Sequence, residues 1–292
     1  MLRKSFLAAT LAAFVVLLGT AATASAGLPP LGAPAGSVDW SEVDGAVPYK
    51  TGYAVPLKAA KPAWFTPALE RRVDVANGVP VAAPNDAPLP GTVGIRPGSW
   101  MLAPAGCTMN FVFGSPGSYS IGTAGHCGSA GQQVTLLTVA PGGSNPVLVD
   151  IGTIQRSVDG GIGNDFAIVS IRPELQTWVS PTIAVVAGPC GSYGGSGPEP
   201  VFHYGHGLAV GTGGTPRAGL ALTWQANAFG WSGLATPGDS GSAVRVNTGM
   251  QAAGDLTHLV VDTNWLPSYI AGTRMGRILQ IAGKPLANSP LC

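Results

Sequence analysis

Short apolar runs separated by turn-forming residues are the dominant pattern of the chain from about residue 93 onward. The runs are too short for typical helices, and glycine, proline, asparagine or serine bounds most of them, which is typical of β-strands. The pattern changes at the end of the chain, where Met275, Ile278, Leu279 and Ala282 recur at helical spacing. We therefore predict an all-β domain that ends in a short helix, with strands at residues 110–113, 119–123, 133–139, 147–156, 166–171, 182–186, 200–204, 220–226, 242–246, 252–261 and 269–274.

The N-terminal part of the chain does not share this pattern. Arg3 and Lys4 precede an apolar stretch at residues 6–18 and small residues at 24–26, which is the organisation of a secretory signal peptide. We assign residues 1–26 to this signal; the apolar stretch is too short for a membrane span, and no stable membrane insertion is expected. An uncleaved anchor is the alternative.

Residues 27–90 are rich in proline and poor in periodic apolar runs, which disfavours a sheet or a long helix. We interpret them as a leader rather than a domain. One interpretation is a pro-segment that delays activity until export and is cut near residues 70–72 or within residues 77–90. The other is a disordered or wall-associated extension. The folded domain is then expected at residues 91–292.

Composition narrows the possible functions. Of the 292 residues, 46% are hydrophobic and only 10% are charged, and the formal net charge is +1. So few charges argue against a nucleic-acid partner. The 43 glycines and 26 prolines would suggest disorder if the apolar fraction were lower, but many short strands joined by tight turns account for both features.

Three segments carry the residues of a hydrolytic site. They are residues 123–127 (TAGHC), 163–168 (GNDFAI) and 236–242 (TPGDSGS), which supply a histidine, an aspartate and a serine in that order. A serine hydroxyl needs an imidazole to remove its proton, and the imidazole needs a carboxylate to fix its tautomer. The order excludes both the Ser-acid-His arrangement of α/β-hydrolases and the Asp-His-Ser arrangement of subtilisins.

We assign the catalytic roles to His126, Asp165 and Ser240. Asp150 and Asp159 are alternatives for the acid, but Asp165 is favoured because it directly precedes an apolar run that is predicted to be a strand. The backbone N–H groups of Gly238 and Ser240 are the expected oxyanion donors. Asp239, beside the nucleophile, is expected to have a structural role as an ion-pair or hydrogen-bond partner.

On these motifs, together with residues 107–111 (CTMNF), the chain resembles chymotrypsin-fold serine peptidases and, within them, the secreted bacterial streptogrisin and α-lytic protease group. The resemblance covers about two thirds of the chain, from about residue 93 to about residue 281. It implies two packed six-stranded antiparallel β-barrels, at about residues 91–180 and about residues 181–292, with the site in the crevice between them.

The four cysteines of an exported chain imply two disulfides, and four cysteines allow three connectivities. The resemblance implies the pair Cys107–Cys127, which leaves Cys190 to pair with Cys292. The cysteine spacing does not suggest zinc. His203 and His206 would face opposite sides of a strand, so we expect neither a metal nor a cofactor.

The resemblance also implies a specificity pocket formed by Leu234, Ala235, Thr257 and His258. Leu234 stands near the place where trypsin-like members keep an acidic residue, which argues against cleavage after arginine or lysine. An apolar pocket favours medium or large hydrophobic side chains before the scissile bond. A protonated His258 that receives a glutamate side chain is the alternative.

The sequence therefore predicts a secreted, monomeric serine endopeptidase made as a zymogen, with polypeptide substrates. Two alternatives remain. One is a catalytically silent homologue that binds peptides or surface partners, and the other is an esterase that uses the same triad.

Overall fold

A computed structural model describes residues 45–207, 214–264 and 266–292. The predicted signal peptide and the start of the leader lie outside the described residues. No described helix is long and apolar enough to cross a membrane. Within these ranges the α-helices are α1 (Pro67–Asp74) and α2 (Met275–Ala282). The strands are β1 (Val47–Tyr49), β2 (Gly52–Pro56), β3 (Val81–Ala82), β4 (Trp100–Ala103), β5 (Cys107–Thr108), β6 (Val112–Phe113), β7 (Ser120–Thr123), β8 (Gln133–Val139), β9 (Pro146–Asp159), β10 (Asp165–Ser170), β11 (Glu199–Gly205), β12 (Thr215–Trp224), β13 (Ala228–Gly233), β14 (Ala243–Val246), β15 (Ala252–Asp255), β16 (His258–Val261) and β17 (Pro267–Thr273).

The first half of the domain is one antiparallel sheet in the order β5-β4-β8-β9-β10-β7-β6, to which β3 adds by pairing with β9. Strands β5 and β6 belong to one continuous segment, residues 107–113. This segment pairs with β4 at one end and with β7 at the other, so it joins the two edges of the sheet. The segment and the five strands β4, β8, β9, β10 and β7 form a six-stranded barrel.

The second half repeats this principle. Its sheet has the order β1-β2-β16-β17-β13-β12-β11-β14-β15. Strands β15 and β16 lie in one segment, residues 252–261, which pairs with β14 at one end and with β17 at the other. This gives a second six-stranded barrel, and β1 and β2 are added to it along β16. The predicted all-β class, with two six-stranded antiparallel barrels and a C-terminal helix, is confirmed.

Separate apolar cores fill the two barrels. Residues of β8, β9 and β10 belong to the first core, and Trp231, Val244 and Leu256 belong to the second. Helix α2 buries Met275, Ile278, Ile281 and Ala282 in a third cluster with Phe111, Phe113 and Phe166 of the first barrel. Ala243 and Ala252 of the second barrel belong to the same cluster, so apolar packing joins the two barrels.

The prediction that residues 27–90 disfavour a sheet is wrong for residues 45–90, which form β1, β2, α1 and β3. The prolines occupy positions where no backbone N–H is required: Pro48 lies on an edge strand, and Pro67 begins α1. Helix α1 buries Leu69 and Val73 in an apolar cluster with side chains of β4, β8 and β9. This part of the leader is integrated into the folded domain.

Candidate active site

His126, Asp165 and Ser240 come together between the two barrels. His126 lies in a short 3-10 turn, Gly125–Cys127, directly after β7, and Asp165 begins β10 in the same barrel. Ser240 lies in the loop between β13 and β14 of the second barrel. The turn before His126 needs glycine, because a Cβ at Gly125 would lie 1.9 Å from the Val158 carbonyl oxygen.

Hydrogen bonds link the three side chains in a line. His126 Nδ1 lies 2.6 Å from Asp165 Oδ2, and the His126 backbone N–H donates to Asp165 Oδ1 at 3.0 Å. His126 Nε2 lies 2.7 Å from Ser240 Oγ. Because the carboxylate holds Nδ1 and the backbone of the same residue, Nε2 faces the hydroxyl. The arrangement can accept the serine proton at Nε2.

The Asp165 carboxyl is fully buried yet favours its ionised form. Burial alone raises its pKa, but the imidazoles of His126 and His258 and the hydrogen bonds from His126 outweigh burial and hold the pKa below its ordinary value. A second buried acid, Asp255, behaves in the opposite way, because burial and the Asp165 charge raise its pKa well above the ordinary value. The carboxylate that faces the histidine is therefore stabilised in its ionised form, whereas the surroundings of the second acid disfavour ionisation.

His258 packs against this group. Its Nδ1 lies 2.9 Å from Thr257 Oγ1 and 3.6 Å from Asp165 Oδ2, and its ring centroid is 5.5 Å from that of His126. Burial lowers its pKa to about 4, so the ring is neutral near pH 7. His126, Asp165 and His258 offer possible metal-ligand atoms within 4.8 Å of one another, but their mutual contacts already account for this clustering.

The loop that carries Ser240 is fixed by the Asp239 side chain. Asp239 Oδ1 accepts from Arg217 Nη1 at 2.5 Å and from the Gly207 N–H at 2.8 Å, while Oδ2 accepts from the Thr236 N–H at 2.8 Å. The expected structural role of Asp239 is confirmed. Gly238, at φ 105°, has the left-handed backbone that glycine adopts without strain.

The backbone N–H groups of Gly238 and Ser240 converge on one carbonyl oxygen. That oxygen belongs to Leu57 of the leader, at 2.6 Å from Gly238 N and 3.2 Å from Ser240 N. The Leu57 N–H in turn donates to the Thr257 carbonyl oxygen at 3.1 Å. Two convergent N–H donors are the arrangement that stabilises an oxyanion during acyl transfer.

The Leu57 side chain is 1% exposed and belongs to the apolar cluster of the second barrel, which also contains Trp231 and Leu256. Ala235, predicted to line the pocket, packs against this cluster. Leu234 does not match the expectation that it closes the pocket: its side chain is 67% exposed. The reason is that β13 ends at Gly233, and only the backbone carbonyl of Leu234 turns inward, 3.3 Å from Nε2 of a buried histidine of β11.

The two alternative acids lie elsewhere. Asp150 is buried against Arg172 and Gln133 in the first barrel. Asp159 is exposed and lies opposite Asp165 in the pairing of β9 with β10. Neither forms a hydrogen bond with His126 among the contacts of the described residues.

His203 and His206 are both buried. Burial lowers the pKa of His203 to about 4 and that of His206 to about 3, so both rings are neutral. The His206 ring stacks on Trp100 of the first barrel at a centroid distance of 5.4 Å. This histidine therefore contributes a contact between the barrels.

The structure contains disulfides between Cys107 and Cys127 and between Cys190 and Cys292. These are the pairs that follow from the family resemblance. The first ties the histidine turn to β5, and the second ties the end of the chain to the segment before β11.

Leu57 and Arg217 are the site residues that the sequence did not indicate. Both lie far from the three motifs along the chain and in segments without a recognisable signature. Only the folded arrangement shows their contacts with residues 238–240.

No family model matches the chain, and no curated protein matches it. Among solved structures, Thermobifida fusca protease A is 20% identical over 68% of this chain and 100% of that chain, with a TM-score of 0.49. Nocardiopsis protease is 20% identical over 67% and 99%, with a TM-score of 0.45. A glutamic acid specific serine protease that uses a histidine triad in substrate binding is 16% identical over 66% and 100%, with a TM-score of 0.48. At these values the similarity carries no information about activity.

Proposed function

We propose that the chain is a secreted serine endopeptidase that cleaves peptide bonds through an acyl-enzyme on Ser240. The observation that carries the proposal is the hydrogen-bonded line from Asp165 through His126 to Ser240, at 2.6 Å and 2.7 Å. Two backbone N–H groups of the same serine loop converge on a peptide carbonyl beside it. A nucleophile, a base, an orienting acid and an oxyanion site are the parts that acyl transfer requires.

The reaction follows from this geometry. Ser240 Oγ attacks the substrate carbonyl carbon while His126 Nε2 takes its proton, and the N–H groups of Gly238 and Ser240 stabilise the oxyanion. His126 returns the proton to the leaving amine, and the acyl group stays on Ser240. Water, activated by His126 in the same way, then releases the acid product and restores the serine.

We further propose that the side chain before the scissile bond is apolar. The Leu57 side chain lies in the apolar cluster that contains Trp231 and Leu256. The backbone N–H of the same residue donates to the Thr257 carbonyl oxygen. A glutamate side chain would require a positive partner. His258 is a poor one, because burial lowers its pKa to about 4 and its Nδ1 already faces Thr257.

The two alternatives make different predictions. A silent binding homologue would not react with an acylating or phosphonylating probe at Ser240. An esterase would react with the probe and hydrolyse nitrophenyl esters, but would leave peptide libraries uncut. The crevice between the barrels holds residues 52–59 as an extended backbone. This supports peptides over simple esters as substrates.

The test is labelling with a fluorophosphonate, followed by digestion of a peptide library. Because Leu57 occupies the crevice, the assay includes a Leu57→Asp variant, in which the leader is expected to bind the crevice more weakly. Labelling is expected in this background and is expected to be lost on Ser240→Ala or His126→Ala. Ser242→Ala, which removes a hydroxyl two positions away, is the matched control. Equal labelling of the Ser240→Ala variant would refute the proposal.

Export and processing are also proposals. We propose that residues 1–26 direct secretion and are removed before Gly27, and that the exported protein is a zymogen and a monomer. The two disulfides are consistent with an oxidising compartment. Mass spectrometry of protein from the culture medium, with size-exclusion chromatography, tests these points.

A further inference from the structure

An extended part of the leader, residues 52–59, lies along the candidate active site; we call it the strap. Its first part is β2, which pairs antiparallel with β16 in the register Val55↔Leu259 and Ala54↔Val260. The strap therefore adds a strand to the edge of the second barrel. Strand addition to a sheet edge is a common way for a protein to bind an extended peptide.

At its centre the strap meets the catalytic groups. The Leu57 N–H donates to the Thr257 carbonyl oxygen, and the Leu57 carbonyl oxygen accepts from Gly238 N and Ser240 N. Ser240, whose N–H contacts this carbonyl, has its Oγ 2.7 Å from the proposed base, His126 Nε2, and 3.0 Å from the Thr257 carbonyl oxygen. The carbonyl of Leu57 thus occupies the oxyanion site, and its side chain fills an apolar pocket.

The strap continues past the site onto the other barrel. The Ala59 N–H donates to the Gly106 carbonyl oxygen at 2.7 Å, and the Gly106 N–H donates back to the Ala59 carbonyl oxygen at 2.9 Å. The backbone is consequently held on both sides of the Leu57–Lys58 peptide bond, by the second barrel before it and by the first barrel after it. A substrate needs this kind of two-sided hold for its scissile bond to be positioned.

We infer that Leu57–Lys58 is the scissile bond of an intramolecular cleavage and that the chain is its own first substrate; the inference rests on the proposed function. Ser240 Oγ bonds to the Leu57 carbonyl carbon as its proton passes to His126. The bond from that carbon to the Lys58 nitrogen breaks, and the proton leaves on the new amine. Water then hydrolyses the ester, giving a Leu57 carboxylate and regenerating Ser240.

The sites expected from the sequence are less suited to cleavage. Residues 70–72 lie within α1, and a protease site binds its substrate in an extended conformation. Part of residues 77–90 pairs with β9 through β3. Neither segment has a backbone carbonyl in contact with the N–H groups of Gly238 or Ser240.

Cleavage of the Leu57–Lys58 bond would divide the leader into a part that can be released and a part that stays bound. The segment that ends at Leu57 is held by the β2–β16 pairing and the Leu57 side chain, and after cleavage it would have no covalent link to the rest of the chain. The segment from Lys58 remains, because Phe65, Leu69 and Val73 are buried in an apolar cluster on the first barrel. The mature enzyme would therefore begin at Lys58 and retain α1.

The experiment compares the exported wild-type chain with its Ser240→Ala variant by intact mass and N-terminal sequencing. We expect a new N-terminus at Lys58 in the wild type and an uncut bond in Ser240→Ala. The half-time is expected to be the same over a hundredfold range of protein concentration, because the reaction is intramolecular. A rate that rises in proportion to concentration, or an N-terminus elsewhere, would overturn the inference.

Matched variants test the role of the pocket. Leu57→Asp would bring a carboxylate into an apolar site and is expected to slow cleavage at this bond by about 100-fold or more. Leu89→Asp makes the same change at a leader position that is 68% exposed and is expected to cleave like the wild type. Equal rates for the two variants would contradict the inferred position of Leu57.

Fluorophosphonate labelling separates failure of this inference from failure of the proposed function. If Leu57→Asp is labelled at Ser240 while the wild type stays intact or is cut at another bond, the peptidase proposal stands and the inferred cleavage is wrong. If neither chain is labelled nor cut, the proposed function itself is wrong. Labelling of the wild type that appears together with the Lys58 N-terminus supports both.

Discussion

The buried ion pair behind the nucleophile allows a sharp prediction about stability. Asp239 accepts three hydrogen bonds, from the Arg217 guanidinium and from the N–H groups of Gly207 and Thr236, and neither charged side chain is more than 6% exposed. Donors approach both carboxylate oxygens of Asp239, so the side-chain NH2 group of Asp239→Asn must face one of these donors. Arg217 also loses its counter-charge. Removing one partner of a buried pair costs about 3–5 kcal/mol.

The assay is urea unfolding in the Ser240→Ala background, which removes self-cleavage as a complication. We expect Asp239→Asn to lower the free energy of unfolding by about 3–5 kcal/mol and Arg217→Met to cost a similar amount. The double variant is expected to lose less than the sum of the two, with a coupling of more than about 1 kcal/mol.

An exposed ion pair of the same length is the control. Lys61 Nζ lies 2.5 Å from Glu70 Oε1, and the two side chains are 34% and 25% exposed. Glu70→Gln is expected to cost about 0–1 kcal/mol, because solvent screens the pair. A loss under about 1 kcal/mol for Asp239→Asn, or strictly additive losses, would refute the reasoning that burial makes the inner pair stabilising.

Further predictions address the acid, pH, the second disulfide and the strap. Asp165→Asn is expected to reduce the acylation rate by about 10⁴-fold, measured by fluorophosphonate labelling. Full activity would show that another residue is the acid. Burial lowers the pKa of His206 to about 3, so the unfolded chain takes up a proton that the folded one does not. The free energy of unfolding should therefore fall as pH drops below about 6.5, by about 1.4 kcal/mol at pH 5.5 for this residue, and urea titrations should show a shallower fall in His206→Phe. Replacing Cys190 by serine is expected to cost about 2–5 kcal/mol by thermal unfolding, and an unchanged stability would show that the bond to Cys292 is dispensable. A synthetic peptide of residues 47–57 should inhibit the mature enzyme competitively; no inhibition at millimolar peptide would argue against the strap contacts.

The strand pattern indicated the all-β class, the family resemblance implied the two barrels, and three local motifs indicated the residues that the fold brings together, His126, Asp165 and Ser240. The β-branched and apolar residues of β8 were sufficient to give the observed bounds, Gln133–Val139. Sequence prediction failed where local preference and fold disagree. Residues 182–186 read as a strand, but Val185 has φ 63°, a conformation that a β-branched residue rarely adopts. Strands β4 and β13 were missed because glycines flank or interrupt their short apolar runs.

The strap could not be predicted for a different reason. Strand β2 is a short segment in a proline-rich region, and its partner β16 lies about two hundred residues later in the chain. No periodicity within residues 52–59 specifies that partner. The contact of Leu57 with the serine loop likewise depends on how two distant segments meet. Motifs identify chemistry, but they do not show which part of the same chain occupies the site.

Strand β16 also has a consequence for the chain outside catalysis. Without β2, the edge His258–Val261 would present unpaired backbone N–H and C=O groups on a largely apolar strand. Such an edge is a template for pairing with another protein molecule and for aggregation. In the folded chain the strap satisfies these groups and covers the edge. If the leader is released as proposed, the edge that becomes open to a substrate would therefore also become open to pairing with other protein molecules.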